Sequence, residues 1–255
     1  MTARSLRVLE ASARNYRRTW RGSVISTFLS PVLFLLAMGV GLGALVDDGG
    51  GGLGVPYLTF VAPGLLAATA MQTGAGDGAW PVMAGMKWRK NFHAAVATPV
   101  TSRDLVVGHL GWVAIRLAFV LIVYAVAISA FGALTPARAL LAAGPALLTG
   151  VAFAAATTAY AAALENETGL SNLFRFGIVP LFLFSGTFFP ISQLPDWIER
   201  VAYATPLWHG VDLSRALALG TPTTLPAWVS VGYLIAMLTA GTAVAMRRFE
   251  RRLKS

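Results

Sequence analysis

The stretch "LFLFSGTFFPISQLPDWIERVAYATPLWHG", Leu181–Gly210, opens as a membrane span and then stops behaving like one. From Phe176 to Ile191 there are only about 16 residues before the polar turn, at the short limit for a helix that needs about 20 to cross a hydrocarbon core. Pro180, Gly186 and Pro190 lie inside this run and Pro195 follows it, and these prolines break the helical pattern because proline lacks a backbone N–H and is tolerated at helix starts rather than helix interiors. Around Pro195 the residues Leu194, Trp197, Ile198, Val201 and Ala204 mark one helical face, while Asp196, Glu199 and Arg200 mark the other. A second short helix is expected to start at Pro206 and run through Val211, Leu213 and Leu217. Both are too short and too polar to cross. They can dip back into the outer leaflet only where protein covers their backbone ends, which predicts two re-entrant helices.

The rest of the chain supplies the membrane context. It has 255 residues, 56% hydrophobic and only 12% charged, against about 25% charged in an ordinary soluble domain. There are no cysteines, so disulfides, thiolate metal sites and cysteine nucleophiles are excluded. Apolar runs of spanning length predict an all-α membrane protein of six transmembrane helices, at about residues 24–46, 58–80, 105–134, 139–164, 173–189 and 227–246. The first run is longer than the apolar core of a signal peptide. The second contains "QTGAGDG", Gln72–Gly78, and its lower end is expected to be irregular or buried in protein.

A net charge of +9 raises the question of nucleic acid, and the placement of the 20 Lys and Arg residues answers it. They cluster in the first 21 residues, between Lys87 and Arg103, and after Met246, separated by long apolar runs. Under the positive-inside rule these clusters share the cytoplasmic side, with both termini, and no nucleic-acid partner is implied. Ahead of the first span, Leu6, Leu9, Ala13, Tyr16 and Trp20 recur at helical spacing opposite Arg7, Arg14, Arg18 and Arg21, which predicts an amphipathic interfacial helix over residues 1–22. The six-helix domain then occupies 23–255. Between the second and third spans, Trp88 to Ala97 reads as a short helix along the membrane base, broken at Pro99, with a new helix start at Thr101 or Ser102 and Asp104 in its first turn. Ser171 is the expected cap after the inner turn "ENETGLSN".

No G-x-x-x-x-G-K-[ST] phosphate loop occurs, and the three histidines, His93, His109 and His209, follow no metal-binding pattern. No catalytic constellation and no metal site are therefore expected. Arg116 is the clearest charge inside a span. The reading adopted for it is snorkelling to the inner surface past Trp112, with pairing to Asp77, Glu165 or Glu167 as the other course.

The pattern F-S-G-x-x-F-P-I-x-Q-L-P from Phe184 to Pro195, followed by P-L-W-H-G-V-D-L-S-R from Pro206 to Arg215, resembles the ABC-2 type exporter permeases, in particular the nodulation protein J and daunorubicin-exporter branches. The likeness covers nearly the whole chain, including "ATPVTSRDLVVG" from Ala97 to Gly108. It implies six spans, a cytoplasmic coupling helix and two re-entrant extracellular helices. It further implies assembly of two permease protomers, a homodimer in preference to a heterodimer, with separate ABC ATP-binding subunits. The chain would bind no cofactor, and ATP and Mg would be used by the partner. On this footing Trp88, Arg89, Phe92, His93, Thr98 and Pro99 are expected to couple to the ATPase. Gly186, Pro190, Pro195, Pro206 and Gly210 are expected to shape an extracellular gate, and Phe182, Phe184, Phe188 and Phe189 to line a substrate path. The expected role is export of an amphiphilic drug, lipid or glycolipid across a bacterial cytoplasmic membrane, in contact with membrane lipid. The competing classes are a non-transporting sensor or assembly scaffold on the same fold, and an intramembrane enzyme.

Overall fold

A computed structural model describes residues 2–48 and 54–254, without the side chains of 18–28, 30, 31, 40, 44, 48 and 254. The segment 49–53, four glycines and Leu53, and the side chains of Arg18, Trp20 and Arg21 therefore lie outside the described residues. Every regular element among the described residues is helical. Helix α1 (Ala3–Leu35) passes through a π-helical turn (Leu36–Leu42) into α2 (Gly43–Asp48), so the expected interfacial helix and first span are continuous in secondary structure. Next come α3 (Tyr57–Met83), a π turn (Ala84–Trp88), α4 (Asn91–Val96), α5 (Ser102–Ala130) and α6 (Pro136–Ala161). The chain continues through α7 (Thr168–Leu173), a π turn (Phe174–Ile178), α8 (Val179–Phe184), α9 (Asp196–Tyr203), α10 (Pro206–Leu219) and α11 (Ala227–Lys254).

Local chemistry sets these boundaries. Helix α5 opens with a capping box: Thr101 Oγ1 accepts from the Asp104 N–H at 3.2 Å, and Asp104 Oδ2 accepts from the Thr101 N–H at 3.1 Å. Helices α6 and α10 carry Pro136 and Pro206 in the first turn, where the missing N–H costs nothing. Helix α10 ends at Gly220 in the left-handed conformation, φ +72°.

Ser102–Ala130, Pro136–Ala161 and Ala227–Leu253 are long and apolar enough to cross a membrane, and Thr168–Phe184 forms a shorter apolar helix. Helix α3 is long enough but less apolar, and the packing explains why it tolerates this. It is the central helix, buried against α6, α10 and α5, so its side chains meet protein rather than lipid. Contrary to one of the two courses expected for it, Gln72–Gly78 is regular helix within α3. Its glycines are used for close approach: a Cβ on Gly74 would lie 2.1 Å from the Gly150 carbonyl oxygen, and one on Gly78 would lie 2.4 Å from that of Ala154. Thr158 Oγ1 donates to the Gly78 carbonyl at 3.0 Å across the same seam. Small residues here let two backbones touch where the hydrophobic effect offers no drive between helices.

Three other expectations need correction. The fifth apolar run ends as helix at Phe184 rather than 189, since Ser185 leaves the helical region and Gly186 takes φ +79°. Ser171 lies inside α7 and caps nothing; its hydroxyl donates back to the Glu167 carbonyl at 3.4 Å. The last helix does not stop near Met246 but carries the basic tail as helix to Lys254. There Arg252 Nη1 donates to the Ala162 and Leu164 carbonyls at 2.7 and 2.6 Å, a cation placed at the negative end of α6.

Candidate functional site

Contacts sort the chain into two ends of one helical body. At one end Thr2 donates to Asp104, Arg252 binds the end of α6, and Phe92 packs on Phe249 with ring centroids 5.6 Å apart. The N-terminus, the Lys87–Arg103 segment and the tail therefore meet there. The Phe184–Arg215 motif and the starts of α3, α6 and α11 lie at the opposite end.

At the motif end, each residue singled out for the gate has a backbone or packing task. Gly186 holds φ +79°, which an L side chain rarely adopts, and lets the chain turn off α8. Pro190 precedes a single 3₁₀ turn (Ile191–Gln193), Pro195 precedes α9, and Pro206 opens α10, whose cap Thr205 accepts from the Trp208 N–H at 3.4 Å. Gly210 faces α6, where a Cβ would lie 2.1 Å from Thr149 Oγ1. The turn is pinned from outside the motif as well, because Tyr57 Oη donates to the Phe188 carbonyl at 3.2 Å.

The four candidate path phenylalanines divide. Phe184, Phe188 and Phe189 line an apolar cavity of about 640 Å³ open between the π turn of the first helix, with Met38 and Leu42, and the tip of α8. Phe182 is not on that wall. It stands behind it, edge-on to Phe188 at 5.0 Å and to Phe34 at 5.9 Å.

The strongest fastener at this end is Arg215, which the sequence showed only as the last letter of the motif. Its Nε donates to the Phe60 carbonyl at 3.3 Å, and its Nη2 donates to the Gly186 and Thr187 carbonyls at 2.9 and 3.4 Å. The guanidinium also lies 3.9 Å from the centre of the Phe60 ring, a cation–π distance. Helix α10 is thereby tied to both α3 and the Gly186 turn. His209 makes the corresponding tie to α11, with Nδ1 2.9 Å from Ser230 Oγ and its ring 4.4 Å from that of Tyr233. Burial holds its pKa below the ordinary value, partly offset by the Asp212 charge.

At the basic end, the element named for coupling is shorter than its expected range. Lys90 sits in the left-handed region at φ 50°, breaking the chain between the π turn and α4, so only Asn91–Val96 is helical. Trp88 and Arg89 precede the helix, and Thr98 and Pro99 come after it in a turn where Thr98 Oγ1 donates to the Ala95 carbonyl at 2.6 Å. Trp88 is 58% exposed. Phe92 instead faces inward onto Phe249 and Gly85, while His93 is exposed on α4. The short helix is thus a tether to α11 with an exposed aromatic beside it.

Between the two ends, Arg116 does not snorkel. Its Nη1 pairs with Asp77 Oδ1, because α3 presents a carboxylate next to α5 at that level and an unpaired buried charge is far costlier than a paired one. Arg116 also lies 5.5 Å from the centre of the Tyr16 ring, which in turn meets Trp112 edge-on at 5.6 Å.

Residues 7–219 match the ABC-2 type transporter family, a range that runs from within α1 through the Lys87–Arg103 segment to the end of α10 and leaves out α11. The chain belongs to that family. Relatives of this ABC-2 chain include the nodulation protein J of Rhizobium leguminosarum bv. viciae, 30% identical across 95% of this chain and 98% of the relative. The nodulation protein J of Sinorhizobium fredii is 30% identical, with 87% and 88% covered. The inner membrane transport permease YadH of Escherichia coli K12 is 23% identical, with 92% and 90% covered. Together with the apolar helices, family membership makes this a multi-pass membrane protein of the permease type. Among the described residues no cluster of His, Cys, Asp and Glu could hold a metal ion.

Proposed function

We propose that this chain is the transmembrane permease subunit of an ATP-driven exporter that moves an amphiphilic drug, lipid or glycolipid outward across the cytoplasmic membrane of a bacterium. The observation that carries the reading is the ABC-2 match over residues 7–219 in a chain without a phosphate-binding loop. A permease of that kind takes its energy from a separate ABC ATP-binding subunit, with ATP and Mg held there. In this reading the spans are the first helix, α3, α5, α6, the α7–α8 helix and α11, with α9 and α10 re-entrant. Positive-inside charge puts the end with Arg103 and the helical tail in the cytoplasm, along with both termini. Two copies, as a homodimer, would face each other across the path. The cavity walled by Phe184, Phe188 and Phe189 offers an amphiphile an apolar surface at the outer end.

Coupling then takes a physical route. Movement imposed on Trp88 and α4 by the ATPase reaches α3 through the π turn and α11 through Phe92 and Phe249. Helix α3 is packed backbone to backbone on α6, so it moves with that helix rather than bending alone. The deciding experiment is co-reconstitution of the chain with its ATP-binding partner in liposomes. ATP-dependent movement of an amphiphile, with substrate-stimulated ATPase activity, is the expected result. A complex that assembles and hydrolyses ATP but moves no amphiphile would favour the sensor or scaffold reading.

A further inference from the structure

A second cavity at the outer end, of about 610 Å³, lies between the start of α3, the turn joining α5 to α6, and the end of α10. Two arginines line it, Arg138 and Arg215, together with Thr59, Thr135 and Thr221, and among the described residues no carboxylate is on its wall. The partners of Arg215 are carbonyls and a ring: Nε and Nη2 make the bonds to Phe60, Gly186 and Thr187, and Nη1 makes none of them. Carbonyl dipoles orient a guanidinium without neutralising it, and the anion whose charge reaches this half-buried cation is Asp212, which forms no ion pair with it and compensates it only in part. The Asp212 oxygens bond Thr224 instead, accepting from its N–H at 3.1 Å and from its hydroxyl at 2.8 Å. Among the described residues no carboxylate forms an ion pair with either arginine.

The other wall adds to the positive field. Helix α6 begins at this cavity, its cap residue Thr135 makes no side-chain bond to the first turn, and Arg138 stands in that turn. The first-turn N–H groups and the positive end of the helix dipole therefore face the same space as the two guanidiniums. Planar guanidinium forks match the oxygens of a phosphate group in geometry as well as charge.

We propose that this cavity binds the phosphate of an anionic ligand at the outer membrane surface, with Arg138 and Nη1 of Arg215 as its cationic contacts. The source of that phosphate is a lipid headgroup or a soluble phosphate ester. The site stands apart from the apolar cavity at Phe184 and does not require the chain to be an exporter.

The test uses the full chain in nanodiscs of phosphatidylcholine doped with phosphatidylglycerol, with retained phosphatidylglycerol quantified by mass spectrometry and sn-glycerol 3-phosphate added as a soluble competitor. Arg138→Ala and Arg138→Glu are expected to lower retention about tenfold, the loss of one charge-assisted hydrogen bond, and Arg138→Lys to keep most of it. Arg200→Ala, on α9 outside the cavity, is expected to retain as much as the native chain. Displacement by glycerol phosphate at matched concentration identifies a soluble phosphate ester as the ligand, and retention despite it identifies a lipid headgroup; either supports the site. Equal retention and equal glycerol phosphate binding in the native chain and Arg138→Glu would overturn it, as would an equal loss in Arg200→Ala. Arg138 is exposed at the rim, so its variants are not expected to unfold the protein.

Discussion

Asp77 on α3 and Arg116 on α5 form an ion pair whose side chains are only 16% and 25% exposed. The pair joins the central helix to its neighbour, and Asp77 Oδ2 and Arg116 Nε are both buried without a further partner. Removing one charge should therefore cost more than removing both. Asp77→Asn or Arg116→Leu is expected to destabilise the protein by about 3 kcal/mol, with the double variant closer to the native chain than either single one. Thermal unfolding in detergent measures this, and strictly additive losses would refute the coupling.

Gly74 and Gly150 let α3 and α6 touch, and neither can grow. Gly74→Ala places a methyl group 2.1 Å from a backbone oxygen that cannot swing aside. A loss of about 2 kcal/mol or more is expected from overpacking. Gly76, with open space at its Cβ, is the control: Gly76→Ala should be neutral or mildly stabilising, read by the same melting experiment.

Gly186 and Gly220 have nearly the same backbone angle, φ +79° and +72°, but different surroundings. Each alanine variant loses about 1 kcal/mol to the left-handed conformation. Gly186→Ala must also move Ile191, whose Cγ2 would lie 2.9 Å from the new Cβ, whereas Gly220→Ala meets nothing. A lower melting temperature is expected for Gly186→Ala, and the reverse order would remove the packing role assigned to this turn.

His209 gives stability a pH dependence of known sign. Burial lowers its folded pKa below the ordinary 6.5, so the unfolded chain binds the proton more readily. Its contribution is complete above about pH 6.5 and is lost as pH falls through the folded value. Melting temperature measured from pH 8 to pH 5 should drop more in the native chain than in His209→Asn. Parallel curves would show that the tie to Ser230 is indifferent to protonation.

Trp88 and Phe92 separate coupling from stability. Trp88 is exposed and Phe92 packs on Phe249. Trp88→Ala should leave stability within about 0.5 kcal/mol of the native value while lowering ATPase stimulation by the partner. Phe92→Ala should lose both. Unchanged stimulation in Trp88→Ala would move the coupling surface elsewhere.

Whatever depends on local composition and spacing was legible in the order of residues. Apolar length announced membrane helices at Leu105, Ala139 and Ala227, proline and cap residues marked the starts of α5, α9 and α10, and the Phe184–Arg215 motif pointed to the family. Whatever depends on which groups meet across the chain became visible in the packed helices alone. Arg116 looked like a snorkelling residue because hydropathy treats each helix as if it faced lipid, yet Asp77 on a different helix offered a cheaper place for its charge. The glycines of Gln72–Gly78 looked like a weak helix because their lack of side chains costs local propensity, and that same lack admits the α6 backbone. Arg215 gave no sign of its role, since its partners Phe60 and Gly186 are 155 and 29 residues away. Its carbonyl acceptors belong to the backbone, whose position no residue type records.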